Sequence, residues 1–499
     1  MTRNFRAVML ALLATTMISS AHAQQATQAA PTPEPPAMAP RLAIDPSAPE
    51  TQAAPIAKAQ QNLSDALRWS YDNNPTINAA RAELLATQER LPQALAGWKP
   101  SAEASTSVRK TWVDGSGNND GSTEKTVGLE ASQPLYRGGR TVAQTASAKN
   151  AIMAQRAFLM ATEQGTLLQV VTAYMNVIRD QSLYDLAVNN KDVIGRQLEA
   201  TNARFEVGDV TRTDVSQSQA RFSQAEATRV NALGALRSSM AIYQRVTGLP
   251  PATLSTPQIS LPIPATMDAA IEMAENYNPS VLAADFLHRS AKEDIDTVFG
   301  ELLPEVGLFG AYNHTIDPSP GNADDSTVSA IGVSATMPLY RGGATQSRVR
   351  QTKSTAQQRM IQVEEAQRLA RQQTASSWES LLASQAEILS RRAQVEASRI
   401  ARDGVHKEAE LGTRTILDAL DADQELLDAE SALVTAQRNE VVARFTLATT
   451  LGLMTPETLG FPELARDYNI HIDEINGKIF SNSTEFGKDI GQQPGKVTR

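Results

Sequence analysis

The chain has 499 residues, no cysteine and a formal net charge of −9 at pH 7. This length is sufficient for more than one packed unit, and the acidic balance provides no basic stripe of the kind that binds nucleic acid. Without cysteine the chain cannot form disulfides, cysteine–zinc sites or a lipid anchor on an N-terminal cysteine.

The start of the chain predicts a secretory signal over residues 1–23. Arg3 and Arg6 precede an apolar run, and Ala21-His22-Ala23 provides a small-residue cleavage site. The alternative, an uncleaved membrane anchor, is disfavoured because the run is shorter than the roughly 20 residues that span a bilayer. Residues 24–60 are rich in Ala and Pro and predict a disordered leader. No later apolar stretch has spanning length, so a membrane role would require strands.

An internal repeat then organises the rest of the chain. The block Pro-Leu-Tyr-Arg-Gly-Gly at 134–139 recurs at 338–343, an offset of 204 residues. The same offset relates Asn74-Pro75 to Asn278-Pro279. A period this long indicates two large halves rather than a solenoid. The halves are predicted at 61–249 and 266–453, with a linker at 250–265 and a polar tail at 454–499.

Each half is predicted to contain a helical segment, a pair of strands and a long helical hairpin. The strand pairs are expected at 101–135 and 304–339, and the hairpins at 140–248 and 344–452. Leu420, Leu427, Val434 and Val441 follow a seven-residue step, which is typical of helices packed at a shallow angle. An arm of 60-odd residues would extend about 90 Å, longer than any compact domain.

The predicted strands alternate weakly between apolar and polar residues, as in Val127, Leu129 and Ala131 against Gly128 and Glu130. Such alternation suits a transmembrane barrel with a watery lumen, and a soluble antiparallel sheet is the alternative. Four strands cannot close a barrel with a lumen, so several chains would have to share one.

These features together resemble the TolC family of outer-membrane factors, on the signal segment, the duplication, the strand pairs and the Pro-Leu-Tyr-Arg-Gly-Gly block. The segment 412–422 is similar to that family's aperture segment. The resemblance implies a mainly α fold with a β-barrel part: a homotrimer with twelve strands in the outer membrane and twelve helices in a periplasmic α-barrel. It also implies a periplasmic adaptor and an inner-membrane transporter, ABC or proton-driven, as partners. The missing anchor cysteine looks more like the type I secretion branch; the drug-efflux branch is the alternative.

The junctions between strands and hairpins are expected to be architectural. They comprise Pro134, Tyr136, Arg137, Gly138 and Gly139 in the first half and Pro338, Tyr340, Arg341, Gly342 and Gly343 in the second. The prolines are expected to end strands and the glycines to allow the turn into the helix. The tyrosines suit a membrane surface, where the arginines would face lipid headgroups.

The hairpin tips are the candidate gate. Gly208 and Gly412 mark the two turns. Asp418 and Asp421 share a helix face at i, i+3, and under threefold symmetry each would form a ring of three carboxylates, which in pores binds or selects cations.

The family resemblance implies the gate role of these two aspartates, and it also implies that Arg414 and Asp214 link neighbouring hairpins. The alternative is ordinary solvated charge. Ala409 stands where the family often has Tyr, a departure that bears on the closed-state latch.

No catalytic, metal or cofactor motif appears in the sequence. The five histidines include no HExxH pair, and there is no Gly-rich phosphate loop or nucleophile elbow. We therefore predict a passive export duct for secreted protein or small toxic compounds, and not an enzyme. A soluble periplasmic coiled-coil adaptor is the main rival, and a periplasmic hydrolase the weakest.

Overall fold

The computed structural model describes residues 60–112, 122–257, 260–316 and 325–466, all of which belong to one structural unit. The predicted signal segment, the leader up to residue 59 and the end of the predicted tail lie outside the described residues, as do both loops between paired strands. No helix among the described residues is long and apolar enough to cross a membrane.

The two halves contain equivalent elements in the same order. The first half consists of β1 Gln60–Gln61, α1 Leu63–Asn73, α2 Pro75–Gln88, α3 Arg90–Leu95, β2 Ser101–Thr111, β3 Ser122–Arg137, α4 Arg140–Glu206 and α5 Arg212–Thr247. The linker holds β4 Thr253–Leu254, and the second half consists of α6 Met267–Tyr277, α7 Pro279–Phe299, β5 Glu305–Ile316, β6 Ser326–Thr336, α8 Ala344–Glu410 and α9 Ile416–Thr450. β1 and β4 pair in parallel.

The long helices show the duplication most clearly. α4 and α8 each contain 67 residues, and both their first and last residues are separated by the repeat offset. Neither helix contains an internal proline, and both are rich in residues with high helix propensity such as Ala, Gln and Arg. Each extends about 100 Å at 1.5 Å per residue. The predicted duplication and mainly helical fold are confirmed.

The first helical segment of each half is broken, where the sequence predicted one continuous helix. Asn74 separates α1 from α2, and Pro75 occupies the first turn of α2, a position that needs no amide donor. The Asn74 carboxamide oxygen accepts from the Thr76 amide at 2.8 Å, and its Nδ2 donates to the Val246 carbonyl at 2.8 Å. Asn278 repeats this break in the second half. Each asparagine therefore caps one helix and fastens it to the end of a hairpin.

The main hydrophobic core lies where α1 packs against the middle of α4. Leu167, Val171 and Tyr174 are fully buried there, as their spacing on α4 predicted. The Tyr174 hydroxyl donates to the Ser255 carbonyl at 2.6 Å, which fixes the linker to the core. Burying each such side chain stabilises the fold by about 1.5–3 kcal/mol.

The beginning of the predicted polar tail belongs to this core. Met454, Leu459 and Phe461 are buried in it, and Arg466 Nη2 contacts Asp72 Oδ1 at 2.8 Å. The expectation of a loose tail from residue 454 is therefore wrong up to residue 466. The apolar side chains dispersed among polar neighbours were sufficient to bury this segment.

The four longer strands form one antiparallel sheet in the order β2-β3-β5-β6. Leu129, Tyr312 and Val333 lie on one exposed apolar face, whereas Ser105 and Asn313 lie on the other. This is the alternation that the sequence predicted.

One junction residue departs from expectation. β3 does not end at Pro134 but continues to Arg137, with a register shift between Pro134 and Tyr136. A bulge of this kind accommodates a residue that lacks an amide donor. β6, in contrast, ends at Thr336, before Pro338.

Candidate functional site at the hairpin tips

The first hairpin turns between α4 and α5. Gly208 has a φ of 81°, a left-handed conformation that favours glycine. Thr211 then caps α5: its amide and hydroxyl donate to Asp214 Oδ2 at 2.8 and 2.7 Å, and the Asp214 amide donates to Thr211 Oγ1 at 3.3 Å. This is a capping box, so Asp214 stabilises the start of its own helix. Across the turn, Arg204 Nε lies 3.0 Å from Asp209 Oδ2.

The second hairpin repeats this geometry between α8 and α9. Gly412 has a φ of 77°. The Thr415 amide and hydroxyl donate to Asp418 Oδ2 at 3.0 and 2.7 Å, and the Asp418 amide donates to Thr415 Oγ1 at 3.1 Å. Arg414 Nε donates to Glu408 Oε2 of the same tip at 3.0 Å. Within one chain, therefore, Arg414 and Asp214 are not brought together.

Both capping carboxylates have lowered pKa values. Hydrogen bonds from the Thr211 hydroxyl and amide lower the pKa of Asp214, and those from Thr415 do the same for Asp418. A depressed folded-state pKa means that each cap contributes fully above the ordinary value of 3.8 and is lost as pH falls through the lower folded-state value. We expect the protection of the first-turn amides from exchange, corrected for intrinsic rates, to stay constant from pH 7 to about 5 and to fall below about pH 4.

Removing a cap tests its contribution at neutral pH. We expect Thr415→Ala to lower the exchange protection of the first turn of α9 about fivefold, because an N-cap contributes about 1 kcal/mol. Hydrogen–deuterium exchange measures this effect, and Thr355→Ala, an exposed site in the middle of α8, is the matched control. Equal protection in both variants would show that the cap does not hold the tip.

Asp421 connects the two hairpins of the chain. Its Oδ1 lies 2.5 Å from Nη2 of Arg221 on α5. Of the four predicted gate residues, Asp421 alone bonds a side chain of the other hairpin in the described contacts. Sequence reasoning missed Arg221, although the residue lies seven positions after Asp214 and so on the same helix face.

A buried polar cluster fastens α8 to α9 near the second tip. The Asp423 side chain is only 4% exposed, and its Oδ1 accepts from Arg402 Nε at 2.8 Å and lies 3.0 Å from His406 Nε2. The bond with Asp423 raises the pKa of the Arg402 guanidinium. Sequence reasoning missed this cluster, although Arg402 and His406 share a helix face at i, i+4.

The first hairpin has no counterpart of this cluster, because Leu198, Asn202 and Gln219 occupy the equivalent positions. The two hairpins instead meet through a small apolar cluster, in which Ile194 and Leu420 are buried. The second hairpin therefore has its own polar fastening in addition to the shared apolar contact.

The first strand-to-helix junction depends on close backbone approach. Gly138 and Gly139 have φ values of 60° and 75°, and a Cβ on Gly138 would lie 2.3 Å from the Gly300 carbonyl oxygen. Arg137 Nε and Arg140 Nη2 bind the Glu305 carboxylate at 3.2 and 2.6 Å. The expectation that Arg137 faces lipid headgroups is therefore wrong, because β5 places a carboxylate beside it.

The second junction has the same glycine turn but no such ion pair. Gly342 and Gly343 have φ values of 63° and 79°. Tyr340 and Arg341 are exposed, as the sequence predicted for residues at a membrane surface.

The two glycines of the first junction allow a matched comparison. We expect Gly139→Ala to cost about 1–2 kcal/mol, the penalty of a left-handed backbone for a residue with a Cβ. Gly138→Ala should cost clearly more, because the added carbon also meets the Gly300 backbone, whereas nothing lies within 4 Å of the position at Gly139. Thermal unfolding in detergent measures the difference, and equal losses would contradict the close approach.

Among the described residues, no group of three or more His, Cys, Asp or Glu side chains is placed to hold a metal ion. The tips therefore offer caps, ion pairs and exposed apolar side chains. Such an arrangement can hold hairpins together and release them.

Known proteins similar to this chain are outer-membrane channels. A sequence model described as "Outer membrane efflux protein" matches residues 55–248 and 270–453. The outer membrane efflux protein BepC of Brucella suis is 31% identical over 432 residues, which cover 87% of this chain and 94% of BepC. The outer membrane protein TolC of Vibrio cholerae is 28% identical over 406 residues, which cover 80% of this chain and 92% of TolC.

A solved structure agrees on the fold. The outer membrane channel CmeC of Campylobacter jejuni superposes with a TM-score of 0.70 at 14% identity, over 83% of this chain and 89% of CmeC. The two model matches correspond to the two halves of the chain.

Proposed function

The chain belongs to the family of outer membrane efflux proteins, and from that premise we propose that three copies assemble into one passive duct that is gated at the hairpin tips. The protein is an efflux and secretion channel of the outer membrane with a periplasmic helical extension. It is a transport protein and not an enzyme, and the family serves tripartite export.

The observation that carries the trimer is the unclosed sheet. The described chain contributes four long strands with β2 and β6 at open edges, and one face of the sheet is apolar and exposed. In hydrocarbon every backbone amide and carbonyl needs a partner, so this sheet has to close with others. Three copies give twelve strands, enough for a barrel with a lumen.

The long helix of the second half supports the same assembly. α8 exposes Leu382, Leu389, Ile400 and Leu411, spaced 7, 11 and 11 residues apart. Steps of 7 and 11 residues return to one side of a helix. A neighbouring copy would cover this stripe, so that the helices of three chains form the walls of the periplasmic tunnel.

The tips are the proposed docking surface for a periplasmic adaptor. Val207 and Leu411 occupy equivalent positions beside the turn glycines, and each is 81% exposed. Two large apolar side chains at the end of polar hairpins favour contact with another protein. The inner-membrane transporter would supply the energy, and its pairing with the adaptor would decide whether the cargo is protein or small molecule.

The gate would open by separation of the hairpins at their tips. Asp421 would help to hold it shut through Arg221, whereas Asp214 and Asp418 keep each helix start in place. Under threefold symmetry, Asp418 and Asp421 would also form carboxylate rings that attract cations.

The mass of the detergent-solubilised particle tests the assembly. Light scattering, corrected for detergent, should give the mass of three chains, each 53.7 kDa before any signal segment is removed. The matched variant Ile331→Asp places a charge on the apolar face of β6, and we expect it to leave the outer membrane depleted of trimer. A wild-type particle with the mass of one chain would rule out the shared duct.

A further inference from the structure

The two hairpins of the sheet have the same strand register. β2 pairs with β3 with Ser101 opposite Ser132, and β5 pairs with β6 with Glu305 opposite Thr336. Each residue of the second pair lies 204 positions after its counterpart in the first. The duplication is therefore preserved in the backbone pairing, residue for residue.

The contact between β3 and β5 joins the two halves of one chain. Glu130 lies opposite Ala311 in this contact. In a closed ring of duplicated chains, β6 of one copy stands to β2 of the next as β3 stands to β5. Shifting each residue by the repeat offset turns this pair into Ser334 and Ser107.

We propose, on the basis of the trimer put forward above, that β6 pairs with β2 of the next copy in antiparallel register, with Ser334 opposite Ser107 and Val333 opposite Val108. The partner on each open edge is thus a second copy of this chain. The repeat offset fixes the register of the contact.

The faces of the sheet agree with this register. Val333 and Val108 both lie on the apolar face and are both exposed in the single chain. Ser334 and Ser107 both lie on the polar face. A slip by one residue would turn every apolar side chain of one strand towards the polar side, so the register derived from the repeat is also one that keeps both surfaces continuous.

The unequal lengths of β3 and β6 give a second, independent indication. Residues 133–137 of β3 pair with β5 alone, since the pairing with β2 starts at Ser132. The equivalent residues 337–341 have no such neighbour in the chain, and β6 ends at Thr336.

Side-chain exposure follows the same difference. Leu135 and Tyr136 are 52% and 46% exposed, whereas Leu339 and Tyr340 are 88% and 81% exposed. The missing neighbour of residues 337–341 is what β2 of the next copy would supply, with Tyr340 opposite Ala102.

Disulfide cross-linking tests the register directly, because the chain has no cysteine of its own. Two matched double variants are Ser334→Cys with Ser107→Cys and Val333→Cys with Val108→Cys. Neighbouring antiparallel pairs alternate between Cα separations of about 5.5 and 4.5 Å, so at least one of the two suits a disulfide. After oxidation with copper–phenanthroline, we expect a covalent trimer on a non-reducing gel from at least one matched variant.

Two further variants separate a wrong register from a wrong assembly. Ser334→Cys with Ser105→Cys is shifted by two residues on the same face, where diagonal neighbours lie about 7–8 Å apart, and should give at most a trace of trimer. Glu130→Cys with Ala311→Cys lies across the contact within one chain and should form an internal disulfide in any folded sheet.

The outcomes divide cleanly. Cross-linking by the shifted variant in place of both matched ones, or by none of the three while the particle has the mass of a trimer, overturns the register alone. An internal disulfide in the control together with the mass of one chain overturns the trimer on which the register rests.

Discussion

Replacing Asp421 with alanine is expected to raise the single-channel conductance in planar bilayers without dissociating the particle. The contact with Arg221 is an exposed ion pair, and such a pair contributes about 0.2–1 kcal/mol. Three symmetry-related copies would together bias the closed state by about 1–3 kcal/mol, which corresponds to a shift of about 5- to 150-fold in the closed-to-open ratio.

Arg221→Ala distinguishes the ion pair from the carboxylate ring. It breaks the same contact but keeps Asp421, so it should raise the conductance while leaving the block by multivalent cations at least as strong as in the wild type. Asp421→Ala should raise the conductance and weaken the block, because a ring of carboxylates is lost. If neither variant changes the conductance, the hairpins are not held shut by this contact.

Replacing Asp423 with alanine is expected to loosen the second hairpin strongly. The side chain is almost fully buried, and its removal leaves the Arg402 guanidinium and the His406 ring without the acceptor that they share. A buried polar group that loses its partner costs about 1–3 kcal/mol. Hydrogen–deuterium exchange should show about 5- to 150-fold lower protection on both sides of the cluster, in the last turns of α8 and the first turns of α9.

The first hairpin provides the control for this prediction. Gln219 occupies the position equivalent to Asp423 and is exposed, so Gln219→Ala should leave the protection of α4 and α5 nearly unchanged. Asp423→Asn keeps an acceptor oxygen and should fall between wild type and alanine. Unchanged protection in Asp423→Ala would mean that apolar packing alone holds the hairpin.

Much of the fold followed from the sequence because the duplication repeats each signal. The long helices were predictable from the absence of internal proline between Gly139 and Gly208, and the strands from their period-two alternation. The break at Asn74 was missed because a proline that starts a helix leaves the apolar periodicity uninterrupted. The burial of Phe461 was missed because a few apolar residues in a polar segment do not produce a periodic pattern.

The candidate site was predicted less completely than the fold. The positions of the tip residues followed from Gly208 and Gly412, but their contacts depend on which helices meet across the chain. Asp418 read as a pore carboxylate, yet the sequence Thr-x-x-Asp from Thr415 is also a cap signature, and the structure shows that bonding. The partner of Asp421 comes from 200 residues away, a distance over which spacing along one helix gives no information.

Current through the purified protein in a planar bilayer tests the central claim of a passive, tip-gated duct most directly. Wild type and Asp421→Ala would be recorded side by side without nucleotide or partner protein, and a trivalent cation would then be added to one chamber at a time. The duct predicts discrete steps, larger in Asp421→Ala, and block chiefly from the chamber that faces the tips. Bilayers that stay non-conducting with both trimeric proteins, or steps of equal size with equal block from both chambers, would contradict it.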